Sequence, residues 1–166
     1  MNEYFVYVTY TLELEEELTC RFINTILNGN YNLCSKILRE KYGLVYYANA
    51  QIDYITKTLC FETMIDKKNK EKLLKAIEEI IKLLLEKNKV KEMLDFSKEE
   101  LKREIYIMSE DKSALIEHID EYFISNCYGQ ECIFDNVDLY TEKEFIKCTK
   151  TLKRKNIFIY SGDCNE

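Results

Sequence analysis

Between Phe22 and Ala50 the chain reads FINTILNGNYNLCSKILREKYGLVYYANA, and this one passage moves from helical to strand patterning across two glycine stops. Leu14, Leu18, Phe22 and Ile26 recur at the spacing of an apolar stripe along a helix. Glu15, Glu16 and Glu17 gather where that helix begins, a position at which the helix dipole favours carboxylates. Asn28, Gly29 and Asn30 predict its end. A shorter helix carrying Leu33, Ile37 and Leu38 then closes at Gly43, since glycine takes the left-handed conformation that ends a helix without a Cβ penalty. A strand is expected over 45–53. This order places Arg39 just before, and Tyr46 just after, the same helix-to-strand turn.

The remaining chain adds strands and helices in blocks. Residues 4–10, YFVYVTY, are β-branched or aromatic and apolar on both faces, which predicts a strand buried in a sheet. Segments 45–53 and 55–64 read as a hairpin with a tight reversal at Asp53 and Tyr54. Over 67–87 the residues Leu73, Ile77, Ile80, Ile81 and Leu84 form a wide apolar stripe, with lysine and glutamate filling the opposite face. Ser97 with Glu100, and Thr141 with Glu144, fit the capping box and predict two more helix starts. Leu115, Ile119, Tyr122 and Phe123 suggest a further helix, 128–138 an acidic turn-rich loop, and 156–160, NIFIY, a closing strand. Helices that come in blocks rather than alternating with strands predict an α+β fold: a mostly antiparallel sheet with helices packed on one face. With no proline, no low-complexity linker and no internal repeat, 1–166 is expected to be a single domain.

Composition narrows the function. A formal net charge of -6, with lysines interleaved among glutamates, argues against a nucleic-acid backbone as partner, because such binding draws on clustered cations. No apolar run approaches the ~18 residues of a membrane-spanning helix, and no secretory leader is evident at the start, so a non-membrane, cytoplasmic protein is expected. The seven cysteines are an odd number without a C-x-x-C pair. Most occupy apolar positions, which favours reduced, packed thiols over a disulfide framework. Cys127 and Cys132 stand closest together, and with no second pair or histidine beside them packing is the simpler account than zinc.

Leu38 to Tyr46 spells L-R-E-K-x-G-L-x-Y, and together with the preceding helix and glycine turn it resembles the non-catalytic C-terminal half of insulinase- or pitrilysin-type zinc peptidases, the group that includes mitochondrial processing peptidases. The resemblance implies a processing-peptidase-like half of the same α+β order. It further implies that Arg39 and Tyr46 are substrate-binding residues facing the active site of another half. That partner half or subunit would carry H-x-x-E-H and the zinc, and the two would close on an unfolded peptide substrate. Tyr42 departs from the pattern, standing where relatives often have a second arginine, and the glycine-rich turn is reduced to Gly29.

In H-x-x-E-H two histidines one helical turn apart hold the metal while the glutamate activates its water. The single histidine here, His118 in SALIEHID, cannot build that site, and flanked by Glu117 and Asp120 it reads most simply as a solvated or ion-paired helix residue. Neither a catalytic residue nor a metal ligand is therefore assigned. Arg39 and Tyr46 are suited to a different task, because a guanidinium and a phenol aimed at a developing oxyanion lower a barrier without transferring a proton. The plain alternative is that Arg39 pairs with Glu40 or its own helix carbonyls and Tyr46 is an ordinary strand aromatic. At the level of function the alternatives are a catalytically dead scaffold or peptide-binding module that keeps the peptidase fold, and a stand-alone ligand-binding domain.

Overall fold

The computed structural model describes residues 3–11, 13, 17–53, 56–110, 116 and 137–161. Four antiparallel strands, β1 (Glu3–Thr11), β2 (Ala48–Asp53), β3 (Thr58–Asp66) and β4 (Lys153–Ser161), form one sheet in the order β2-β3-β1-β4. Helices α1 (Glu17–Asn28), α2 (Lys70–Leu83), α3 (Lys87–Glu110) and α4 (Glu142–Thr149) complete the described fold, with a short π-helix at Ser35–Lys41. The expected α+β class and antiparallel sheet are what the chain adopts.

Strand alternation divides the sheet into two faces. Val6, Val8 and Tyr10 of β1, Leu59, Phe61 and Ile65 of β3 and Ala50 of β2 are buried on one, against Phe22, Ile23, Ile26 and Leu27 of α1, Leu73, Ile77 and Ile80 of α2 and Phe145 of α4. Tyr10 meets Phe61 edge-on at 5.9 Å. Burial of each such Leu, Ile or Phe is worth roughly 1.5–3 kcal/mol, whereas an exposed Lys–Glu pair contributes about 0–1 kcal/mol. The apolar stripe of α2 therefore decides how that helix lies. The expectation that β1 is buried on both faces holds for one only: Phe5 is 46% and Phe158 44% exposed on the other. Among the described residues all of the packing helices lie on the first face.

Other expectations shift at their edges. β2 pairs with β3 out to Asp53 and Thr58, so the second strand begins at Thr58 rather than at residue 55 as expected. On the described side of the connection Asp53 Oδ1 accepts from the Thr56 amide at 3.1 Å and Lys57 takes φ +53°. The stripe expected over 67–87 becomes a 3₁₀ turn, Lys67–Asn69, then α2, with a break before α3. Thr141 and Glu144 do form a capping box, starting α4. Ser97 and Glu100 do not. They lie inside α3, where Val90, Met93, Leu94 and Leu101 keep a continuous buried stripe, and the Glu100 carboxylate instead accepts from the Asn30 amide at 2.9 Å, beyond the end of α1. The Ser-x-x-Glu pattern was satisfied by a distant donor. The helix expected around Leu115 to Phe123, most of the 128–138 loop, and His118, Cys127 and Cys132 lie outside the described residues, apart from Ile116 and 137–138.

Candidate functional site

The site begins where α1 ends. Asn28 donates its side-chain amide to the Ala50 carbonyl and accepts from the Ala50 N–H at 3.0 Å, while Asn24 Oδ1 accepts from the Ile52 N–H at 3.3 Å. Because β2 is an edge strand, these asparagines occupy hydrogen-bonding positions that would otherwise be open along it. They also fix the corner between α1 and β2.

From that corner the chain enters the π-helix through Asn32, whose φ is +46° and whose Oδ1 accepts from the Ser35 amide at 2.9 Å. Ile37 and Leu38 are buried and hold the π-helix against the core, which leaves Arg39 exposed on the outer side. The widened helix closes with Tyr42 N–H on the Ile37 carbonyl at 3.2 Å and Leu44 N–H on the Leu38 carbonyl at 2.9 Å, around Gly43 at φ +58°. The expected left-handed stop is therefore present, in a version of the Schellman closure widened by one residue. π-Helical turns recur at functional sites, where the extra residue re-aims its neighbours.

Lys41 and Tyr42 turn toward α2. Glu79 accepts from Lys41 Nζ at 2.6 Å and from the Tyr42 hydroxyl at 2.7 Å. Hydrogen bonds from Lys41 and then Tyr42 hold the Glu79 carboxyl below its ordinary range, and the same contacts raise the Lys41 and Tyr42 values. This latch fixes one side of the turn and leaves Arg39 on the other. Among the described residues neither an ion pair nor a hydrogen bond holds the Arg39 guanidinium, so the expected alternative of pairing with Glu40 is not what the molecule does.

After Gly43, Leu44 and Val45 are buried, and Tyr46 emerges 89% exposed with Tyr47 59% exposed beside it. A strand running on from residue 45, as the sequence predicts, would have turned one of these tyrosines inward and the other outward. The strand starts only at Ala48, so alternation does not yet apply to the tyrosines, and Leu44 and Val45 supply the burial instead. The Tyr47 carbonyl accepts from buried Thr63 Oγ1 at 2.8 Å, which anchors the segment to β3.

Arg39 and Tyr46 line one hollow of about 310 Å³, with Asn28, Asn32, Ser35, Tyr47, Ala48 and Asn49. The structure thus brings together the two residues singled out in the sequence. Sequence reasoning missed the asparagines and Ser35. Asn28 read only as a helix stop, and nothing in local patterning shows that it reaches Ala50. Chemically the lining offers one guanidinium, hydroxyls and amides and contains no carboxylate, so it suits an oxygen-rich guest.

Residues 4–108 match the family model described as the peptidase M16 inactive domain. The chain belongs to the peptidase M16 inactive-domain family. Its fold is shared with larger proteins of known structure. A conserved protein from Enterococcus faecalis V583 superposes with a TM-score of 0.80 at 19% identity, over 100% of this chain and 41% of the other. A protease from Helicobacter pylori gives 0.75 at 13%, over 96% and 41%, and a peptidase M16 inactive domain from Pseudomonas fluorescens gives 0.67 at 17%, over 96% and 40%. This M16 chain spans about two fifths of the length of each of these three proteins. No curated protein matches it. As an M16 inactive domain it is a non-catalytic, peptidase-like unit of the insulinase type. Among the described residues no group of three or more histidine, cysteine, aspartate or glutamate side chains converges where a metal ion could be held, so zinc finds no fit there. No described helix is long and apolar enough to cross a membrane.

Proposed function

We propose that this chain is the non-catalytic half, or partner subunit, of a zinc metalloendopeptidase, and that it helps enclose a peptide substrate while offering Arg39 and Tyr46 to the transition state. The observation that carries the reading is one hollow into which Arg39, without a partner among the described residues, and an 89% exposed tyrosine both open. In this reading the other half carries H-x-x-E-H and zinc, and the peptide lies between the halves. The reacting carbonyl oxygen gains negative charge as the tetrahedral intermediate forms. A guanidinium and a phenol with no partner among the described residues can donate to it without first breaking other bonds. Family membership supports the pairing of an inactive with a catalytic half. A reducing, cytoplasmic setting is part of the proposal, supported by an odd number of cysteines without a C-x-x-C pair.

The test is to mix the chain with its zinc-bearing counterpart and follow cleavage of an unfolded peptide. Arg39→Ala is expected to lower kcat by roughly 10²- to 10³-fold, the usual loss for one oxyanion donor, and Tyr46→Phe to lower it in the same direction. Equal rates for all three forms would leave only the second reading, a scaffold or peptide-holding module that keeps the architecture without contributing to the chemistry.

A further inference from the structure

We infer that the hollow beside Arg39 receives a carboxylate of the peptide, from either an acidic side chain or a free C-terminus. This deepens the reading above and rests on it, since it takes a peptide to be the guest. Size is the first consideration. A single carbonyl oxygen needs far less than about 310 Å³, which corresponds to about ten waters at ~30 Å³ each.

Charge is the second. In a chain of net charge -6 the lining holds the Arg39 guanidinium and no acid at all. A cationic guest would meet an arginine with no counter-charge beside it. An apolar guest would strip water from polar groups without replacing their hydrogen bonds, a cost of about 1–3 kcal/mol per stranded group.

The third consideration is which hydrogen-bonding groups remain available. Asn28 is consumed in both directions by Ala50 and serves as wall. Asn32 has its oxygen committed to the Ser35 amide, so its NH₂ group is what remains to bind with. The hydroxyls of Ser35, Tyr46 and Tyr47 have no partner among the described residues. A carboxylate presents two oxygens with about four acceptor positions. The arginine fork can meet two of them in parallel, and the amide and hydroxyls can meet the others. Arg39 is exposed on the outer side of the π-helix, so its substitution leaves the core untouched.

Binding of fluorescent, unfolded peptides to the isolated chain tests this. Four forms of one otherwise neutral peptide suffice: free C-terminus, amidated C-terminus, amidated with one internal Glu, and amidated with Gln in its place. At least one carboxylate form is expected to bind roughly ten- to a hundredfold tighter than its neutral counterpart, the range for a hydrogen bond to a charged group. The first pair identifies a chain end as the source and the second pair a side chain. Arg39→Ala should erase the preference, and Arg39→Lys should restore only part of it, because a point charge lacks the fork. Equal affinity for charged and neutral forms, a preference that survives Arg39→Ala, or no binding of any form would each overturn the inference. The transition-state role is read separately, from cleavage of the neutral amidated peptide by the reconstituted pair. Loss of rate in Arg39→Ala without any carboxylate preference keeps that role and sinks this one, and the reverse pattern does the opposite.

Discussion

Two glycines bracket the site for opposite physical reasons. At Gly43 a Cβ would meet nothing within 4 Å, but φ is +58°, so Gly43→Ala places an L-residue in the left-handed region at a cost of roughly 1–2 kcal/mol. At Gly29 space is the difficulty: a Cβ would stand 2.5 Å from the Thr25 carbonyl oxygen and 2.9 Å from the Glu100 carboxylate. Backbone cannot swing aside as a side chain can. Urea midpoints should therefore fall for both variants and further for Gly29→Ala, which also disturbs the Glu100 contact with Asn30. Cys34 gives a chemical readout of the same region. Burial pushes its thiol up to about 12, so the reactive thiolate is scarce at neutral pH. Under native conditions iodoacetamide should label half-buried Cys60 before Cys34, as peptide mass mapping would show, and Cys34 should react only when the chain unfolds. Early labelling of Cys34 would mean that α1 and the π-helix open readily.

Among the elements, the π-helix depends most on a neighbour. Its end is tied to α2 by the Lys41 and Tyr42 contacts with Glu79. Glu79 has its folded value depressed below the ordinary 4.5, so the stability it contributes is present above that value and is lost as pH falls through the folded one. Wild type should exceed Glu79→Gln in urea midpoint at pH 7, and the gap should close as the pH is taken well below 4.5. A gap that persists in acid would show that shape rather than charge makes the latch. The capping patterns illustrate how far local sequence carries at this scale. Thr141 and Glu144 close on each other across one turn, so their motif suffices to start α4. Ser97 and Glu100 have the same spacing, yet Glu100 bonds a residue 70 positions away and α3 runs through. The distinction lies in what packs beside the motif.

For the whole molecule, the proposed pairing assigns the metal to the other half, in keeping with a chain that carries one histidine. After dialysis against zinc and then buffer, the purified chain should retain well under one equivalent by atomic emission. Stoichiometric zinc together with unaided cleavage would reverse the assignment of roles between the halves. Much of the architecture was legible beforehand, because strand alternation, the apolar stripes of α1 and α2 and the stop at Gly43 are local patterns that the backbone obeys within a few residues. The placing of Arg39 before that stop and Tyr46 after it belongs to the same class, and the sequence alone determined that much. Only the tertiary structure decided that Asn28 clasps Ala50, that Glu79 draws Lys41 and Tyr42 aside, and that Tyr46 and Tyr47 both stand in solvent. These are contacts between residues far apart in the chain or consequences of where a strand begins, and periodicity encodes neither. The hollow exists because several such contacts close around one turn.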